Sequence, residues 1–210
     1  MAERVPLDLI DPAALRKRAR LVVAAALVLG LAIGGVVALL GGPIAGGITA
    51  VVVAVPLIVL AVVESRRRVW LEGPRVSVRA LGTRTVDLHG LTGLDLMVTD
   101  VRGTRTIGLL ITGAPKGRTI NVALATYAAA AGRELGVLAL RKLADGLSGA
   151  GDLGPLVFAE LLVAQLRAEA RGEDMGGRPL YQLAGAVPAG KLAQRLKTDT
   201  VTSFVATLDS

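Results

Sequence analysis

Between Leu21 and Val63 the chain carries no charged side chain and no amide, and Thr49 is the only hydroxyl. One straight helix of that length would reach about 64 Å, twice the roughly 30 Å thickness of a bilayer's hydrocarbon core. The run therefore has to break, and Gly41-Gly42-Pro43-Ile44-Ala45-Gly46-Gly47 supplies the turn. Two apolar spans are predicted, at 21–40 and 44–63. Each would be roughly 30 Å long as a helix. Pro56 falls inside the second span. A membrane helix tolerates it with a local kink.

After Glu64 the pattern changes to short alternating runs between turn residues, the signature of half-buried antiparallel strands. Val69-Trp70-Leu71 leads into Glu72-Gly73-Pro74. Val76, Val78 and Ala80 alternate with Arg75, Ser77 and Arg79. Further runs centre on Val86 and Leu88, on Leu94, Leu96 and Val98, on Ile107, Leu109 and Ile111, and on Ile120, Val122 and Leu124. A meander of six strands follows, with a hairpin loop at residues 113–117. A helix is predicted over about 132–147, with Leu135, Leu138, Leu140, Leu143 and Leu147 at near-helical spacing. Residues 147–154 read as a flexible linker. A second helix is expected over about 155–171, a short helix near 191–197 and weakly strand-like residues over 201–208.

The predicted organisation is an N-terminal segment at 1–20, a transmembrane helical hairpin at 21–63, a β-rich domain at 64–148 and a helical extension at 149–210. The fold class is α+β: a membrane hairpin, then a small antiparallel barrel or curled sheet capped by a helix, then C-terminal helices. The pattern leaves open whether those helices pack on the sheet or form a separate arm.

Charge orients the hairpin. Arg16, Lys17, Arg18 and Arg20 precede the first span, and Arg66, Arg67 and Arg68 follow the second. The connection between the spans is uncharged. The positive-inside rule then puts both termini in the cytoplasm of a multi-pass plasma-membrane protein. These cations also suit anionic lipid headgroups. Trp70 fits the membrane interface and fits a buried strand position equally well. A cleaved signal peptide is disfavoured, because the leading segment is too long and no small-residue cleavage site opens into polar sequence. Gly30 and Gly34 form a small-xxx-small pair. It suits close helix packing within the hairpin or in a homo-oligomer, although glycine is common in this span anyway.

Composition narrows the chemistry. Hydrophobic residues are 52% of the chain, cysteine is absent and His89 is the single histidine. Thiolate chemistry and histidine-rich metal sites have no material. The formal net charge is +7, yet aromatic residues are only 2%. Nucleic-acid recognition by base stacking is therefore disfavoured. Asp87 and His89 lie two apart and read as a solvent-facing strand pair. Residues 113–119 lack the spacing of a phosphate-binding loop. Glu169, Glu173 and Asp174 read as exposed helix-end charges beside Arg167, Arg171 and Arg178. Phe158, Leu161, Leu162 and Leu166 form an apolar face that suits packing on the chain's own sheet or docking of a partner. No cofactor is expected.

The order of hairpin, basic stop and strands, together with Val69-Trp70-Leu71-Glu72-Gly73, resembles bacterial two-span membrane proteins with a C-terminal pleckstrin-homology-like domain. The resemblance covers roughly Arg16 to Leu147 and implies a scaffold or interaction role. It does not imply phosphoinositide binding, since only Arg75, Arg79 and Arg84 lie near the first strand loop. The expected function is a non-enzymatic interaction module held at the inner face of the plasma membrane, with an unidentified protein partner. The alternative is an accessory subunit of a transporter or envelope-synthesis complex.

Overall fold

The computed structural model describes residues 3–208 except 11, 81, 114–116, 130, 152 and 189–191. Two units divide the chain: Ile10–Arg67 with Arg79–Gly82, and Met1–Leu9 with Arg68–Val78 and Thr83–Ser210.

The first unit is built on α1 (Pro12–Gly41) and α2 (Pro43–Arg66). Both are long and apolar enough to cross a membrane. The turn is tighter than the sequence suggests, since only Gly42 separates the helices, at φ 87°. Pro43 opens α2 because its fixed φ suits a first helical turn, where no N–H partner is needed. Gly46 and Gly47 lie within α2. Gly46 is explained by packing. A Cβ there would lie 2.4 Å from Ala38 Cβ and 2.5 Å from the Gly34 carbonyl oxygen. Gly30 and Gly34 serve the same contact. A Cβ on Gly30 would come within 2.9 Å of Ala50 O, and one on Gly34 within 2.6 Å of Gly46 O. The small-xxx-small pair therefore packs inside the hairpin. The Thr49 hydroxyl donates to Ala45 O at 2.9 Å, so this polar group is satisfied within its own helix.

The second unit contains two sheets. In the first, the order is β1 (Arg4–Pro6), β2 (Arg68–Glu72), β3 (Arg75–Arg79), β4 (Thr83–Asp87). The second sheet uses β5 (Leu91–Val101), β6 (Thr104–Gly113), β7 (Arg118–Ala128), β8 (Ala131–Glu134) and β9 (Ala193–Leu196), in the order β8-β7-β6-β5-β9. The six strands read from alternation are all present. Three more were missed. β1 pairs antiparallel with β2, Val5 opposite Leu71, and Leu7 N–H donates to Val69 O at 2.8 Å. Val5 and Leu7 are buried. Part of the expected N-terminal segment thus belongs to this sheet.

Helices α3 (Val137–Ser148), α4 (Leu153–Ala170), α5 (Pro179–Ala186) and α6 (Thr198–Leu208) complete the unit. Leu140, Leu143 and Leu147 of α3, Phe158, Leu161 and Leu162 of α4, Leu180 and Leu183 of α5 and Val201 and Val205 of α6 all enter one core with the strand residues. The C-terminal helices are therefore part of the β-rich unit and not a separate arm.

Several expectations are corrected. The sheets do not close into a barrel; the strands divide between two sheets. The predicted helix over 132–147 starts only at Val137, because 131–134 pair with β7, Tyr127 opposite Gly132. Residues 193–196 form a strand on β5, Leu196 opposite Leu96. Lys191, at the start of the short helix expected there, lies outside the described residues. The β-branched run over 201–208 is helical. Val201 and Val205, four apart, are buried in the common core, and tertiary packing overrides strand propensity.

Candidate functional site

In the second unit a group of polar side chains grows from the β7–β8 hairpin. Gly132 on β8 lies opposite Tyr127 on β7. A Cβ at Gly132 would come within 2.8 Å of Tyr127 Cδ1 and 3.0 Å of Met175 Sδ. Glycine here lets the phenol ring and Met175 lie close to the strand backbone. Tyr127 is 4% exposed, and its ring meets Tyr181 edge to face at 5.1 Å. Its hydroxyl donates to Glu134 Oε1 at 2.7 Å.

Glu134 ends β8, and its second oxygen accepts from Arg178 Nη1 at 2.5 Å. Arg178 precedes α5, and its Nε donates to the Glu173 carbonyl at 3.2 Å. The Glu134 and Arg178 side chains are only 10% and 27% exposed, so this is a largely desolvated ion pair. Burial first, and the bond to Glu134 second, push the Tyr127 hydroxyl far above the usual phenol range. The phenol is therefore a neutral donor. The bond to Glu134 also raises the Arg178 guanidinium, opposed by burial and helped by Glu169.

Glu169, in the last turn of α4, is the second carboxylate acting on Arg178. Its Oε2 is buried and has no hydrogen-bond partner among the described residues. With Tyr127, Glu134, Met175 and Arg178 it lines a cleft of about 330 Å³. That volume is at the lower end of small-molecule sites. The expectation that Glu169 is an exposed helix-end charge is corrected. Glu173 is half-buried and bonds Arg171 Nε at 2.7 Å. Asp174 is exposed and caps a 3-10 turn through Gly177 N–H. Nothing local signals this group, since Glu134 and Arg178 are far apart in sequence and meet only through the fold.

The other sequence candidates are dispersed. Arg16, Lys17, Arg18 and Arg20 are exposed on α1, Arg66 and Arg67 are exposed around the end of α2, and Arg68 begins β2. Trp70 is a half-buried β2 residue with the Arg4 guanidinium 5.9 Å from its ring centroid. His89 lies in a one-turn 3-10 helix (Leu88–Gly90), not on a strand. Asp87 caps that turn by accepting from His89 N–H at 3.0 Å. This bond above all holds the Asp87 carboxyl below its ordinary range, with Arg75 assisting. Phe158, Leu161 and Leu162 are each 1% exposed and Leu166 is half-buried against them. That face is core and is not free for a partner. Of the 113–119 segment, residues 114–116 lie outside the described residues.

No family model, no curated protein and no solved structure matches this chain.

Proposed function

We propose that this chain is a membrane-anchored interaction module. In this reading α1 and α2 hold it in the inner face of a bacterial plasma membrane, and the α+β unit is offered to a protein partner in the cytoplasm. The observation that carries the reading is the apolar outer surface of the hairpin. Leu39 is 88% exposed, Leu40 86% and Ile44 80%, and no charge interrupts residues 21–63. Helices apolar on all sides are stable where the surroundings are apolar too.

The β1–β2 ladder supports the topology, because its two strands bracket the hairpin in sequence. Strands that hydrogen-bond to each other must share one side of a bilayer, so the chain enters and leaves on the same face. The exposed Arg16, Lys17, Arg18, Arg20, Arg66 and Arg67 favour the cytoplasmic face. Arg18 and Glu64 line a cleft of about 260 Å³ with Val22, Leu57 and Leu60, a setting that suits a lipid headgroup above its chains. The order of elements remains similar to two-span proteins with a pleckstrin-homology-like domain, for which a scaffold role is expected. No catalytic step is assigned. Both Glu134 oxygens are engaged and Tyr127 is held neutral.

The absence of cysteine makes the test clean. Ile44→Cys and Thr200→Cys are made singly in the full chain and treated in intact cells with a membrane-impermeant maleimide. Ile44→Cys is expected to label from outside and Thr200→Cys only after permeabilisation. The reverse pattern overturns the topology, and extraction of the unlabelled chain by carbonate overturns the anchor. Cross-linking and affinity capture of the full chain then address the partner. A permease or synthase recovered in stoichiometric amount favours the accessory-subunit alternative.

A further inference from the structure

We propose that the cleft lined by Tyr127, Glu134, Glu169 and Arg178 binds an alkylammonium or guanidinium cation. The inference does not rest on the anchoring hairpin. Two carboxylates and one guanidinium line the cleft. Arg178 is committed, with Nη1 on Glu134 and Nε on the Glu173 carbonyl. Each Glu134 oxygen already accepts one bond, from Arg178 or from the Tyr127 hydroxyl. Two carboxylates thus share one guanidinium, and the Glu169 charge reaches Arg178 without a hydrogen bond to it.

Glu169 Oε2 is buried with no hydrogen-bond partner among the described residues. A desolvated carboxylate oxygen lacking a donor is costly, and a donor that enters the cleft relieves that cost. The donor has to be cationic to balance the charge. Arg178 is the cleft's own cation and is already shared, so an anion finds no free counter-charge there. A metal ion is a poor fit, because no group of three or more His, Cys, Asp or Glu that could hold one occurs among the described residues. The walls agree with an organic cation. Leu135 and Met175 offer apolar and polarisable surface to an alkyl stem. A free diamine and a lysine or arginine side chain share this chemistry.

The test uses the full chain in lipid nanodiscs and isothermal titration calorimetry with agmatine, which carries both cationic groups. Capped tripeptides Gly-Lys-Gly and Gly-Arg-Gly form the second arm. Saturable binding of agmatine or of a peptide is expected, at least about tenfold weaker in Glu169→Gln, since a charge-assisted bond is lost. Glu173→Gln, whose carboxylate serves Arg171, should bind within about twofold of the unaltered chain. Glu169→Gln removes no bonded partner and should keep its circular dichroism and melting temperature; if it does not, Glu169→Asp, which keeps the charge, replaces it as the test of weakened binding. Agmatine binding alone identifies a free amine as the source, and tighter peptide binding identifies a side chain. No saturable heat from any probe up to about 10 mM overturns the proposal. Equal affinity in the unaltered chain and the Glu169 variant overturns it as well.

Discussion

The two units treat leucine in opposite ways. Leu39 and Leu40 of α1 are almost fully exposed, whereas Leu140, Leu143 and Leu147 of α3 are wholly buried. In the second unit side chains interdigitate, and burial of apolar area supplies the driving force. In the hairpin the large side chains point away from the partner helix, and the contact is made by glycine and alanine. Gly30, Gly34 and Ala38 of α1 meet Gly46, Ala50 and Ala54 of α2. Backbones that approach closely gain dispersion contacts that need no water to drive them. The same amino acid is thus core in one unit and outer coat in the other, and the medium proposed for each decides which.

Substitutions sharpen that contrast. The largest effect is expected for Phe158→Ala, which empties the largest of the fully buried side chains. It should destabilise the second unit by about 3–5 kcal/mol. Trp70, the only tryptophan, lies in this unit and reports its denaturation by fluorescence. Next comes Leu31→Arg, at a position 69% exposed. In water such a change is nearly free. If α1 crosses a membrane, it should cost about 2.5–3.5 kcal/mol in a translocon insertion assay. A cost near zero would remove the distinction between the units. The smallest effect is expected for Gly46→Leu, which forces the helices apart at about 1–3 kcal/mol. Spin labels at Leu31 and Val52 should report a longer and broader distance distribution. An unchanged distance would mean that close approach at Gly46 does not set the spacing.

Legibility in the sequence follows the same division. The two long helices were readable because an uninterrupted apolar run and a Gly-Pro break are both local signals. The six strands from Val69 to Leu124 were readable because each exposes one face and so alternates. What failed depends on distant partners. β1 is too short to show a pattern and exists because β2 accepts it. Residues 131–134 looked like a helix start, since Arg133 and Glu134 resemble the wet side of a helix, yet β7 draws them into a ladder. Val201 and Val205 suit strand alternation as single residues, and only the core that α6 joins makes them helical. The cleft was illegible for the same reason. Tyr127, Glu134, Glu169 and Arg178 come from β7, β8, α4 and the turn before α5, and no spacing links them.

The pairing of β1 with β2 also bears on assembly. Residues 4–6 leave the ribosome before either long helix, and the strand they join follows both. Closing that ladder across an unfolded chain would carry the loop-closure cost of the whole intervening hairpin. Once α1 and α2 lie side by side, Leu15 and Arg18 are already near Glu64 and Ser65, and the effective loop shrinks to a few residues. Prior association of the helices would therefore lower the cost of closing the ladder. A bulky fusion placed ahead of β1 would then burden a strand that has no partner until β2 is made.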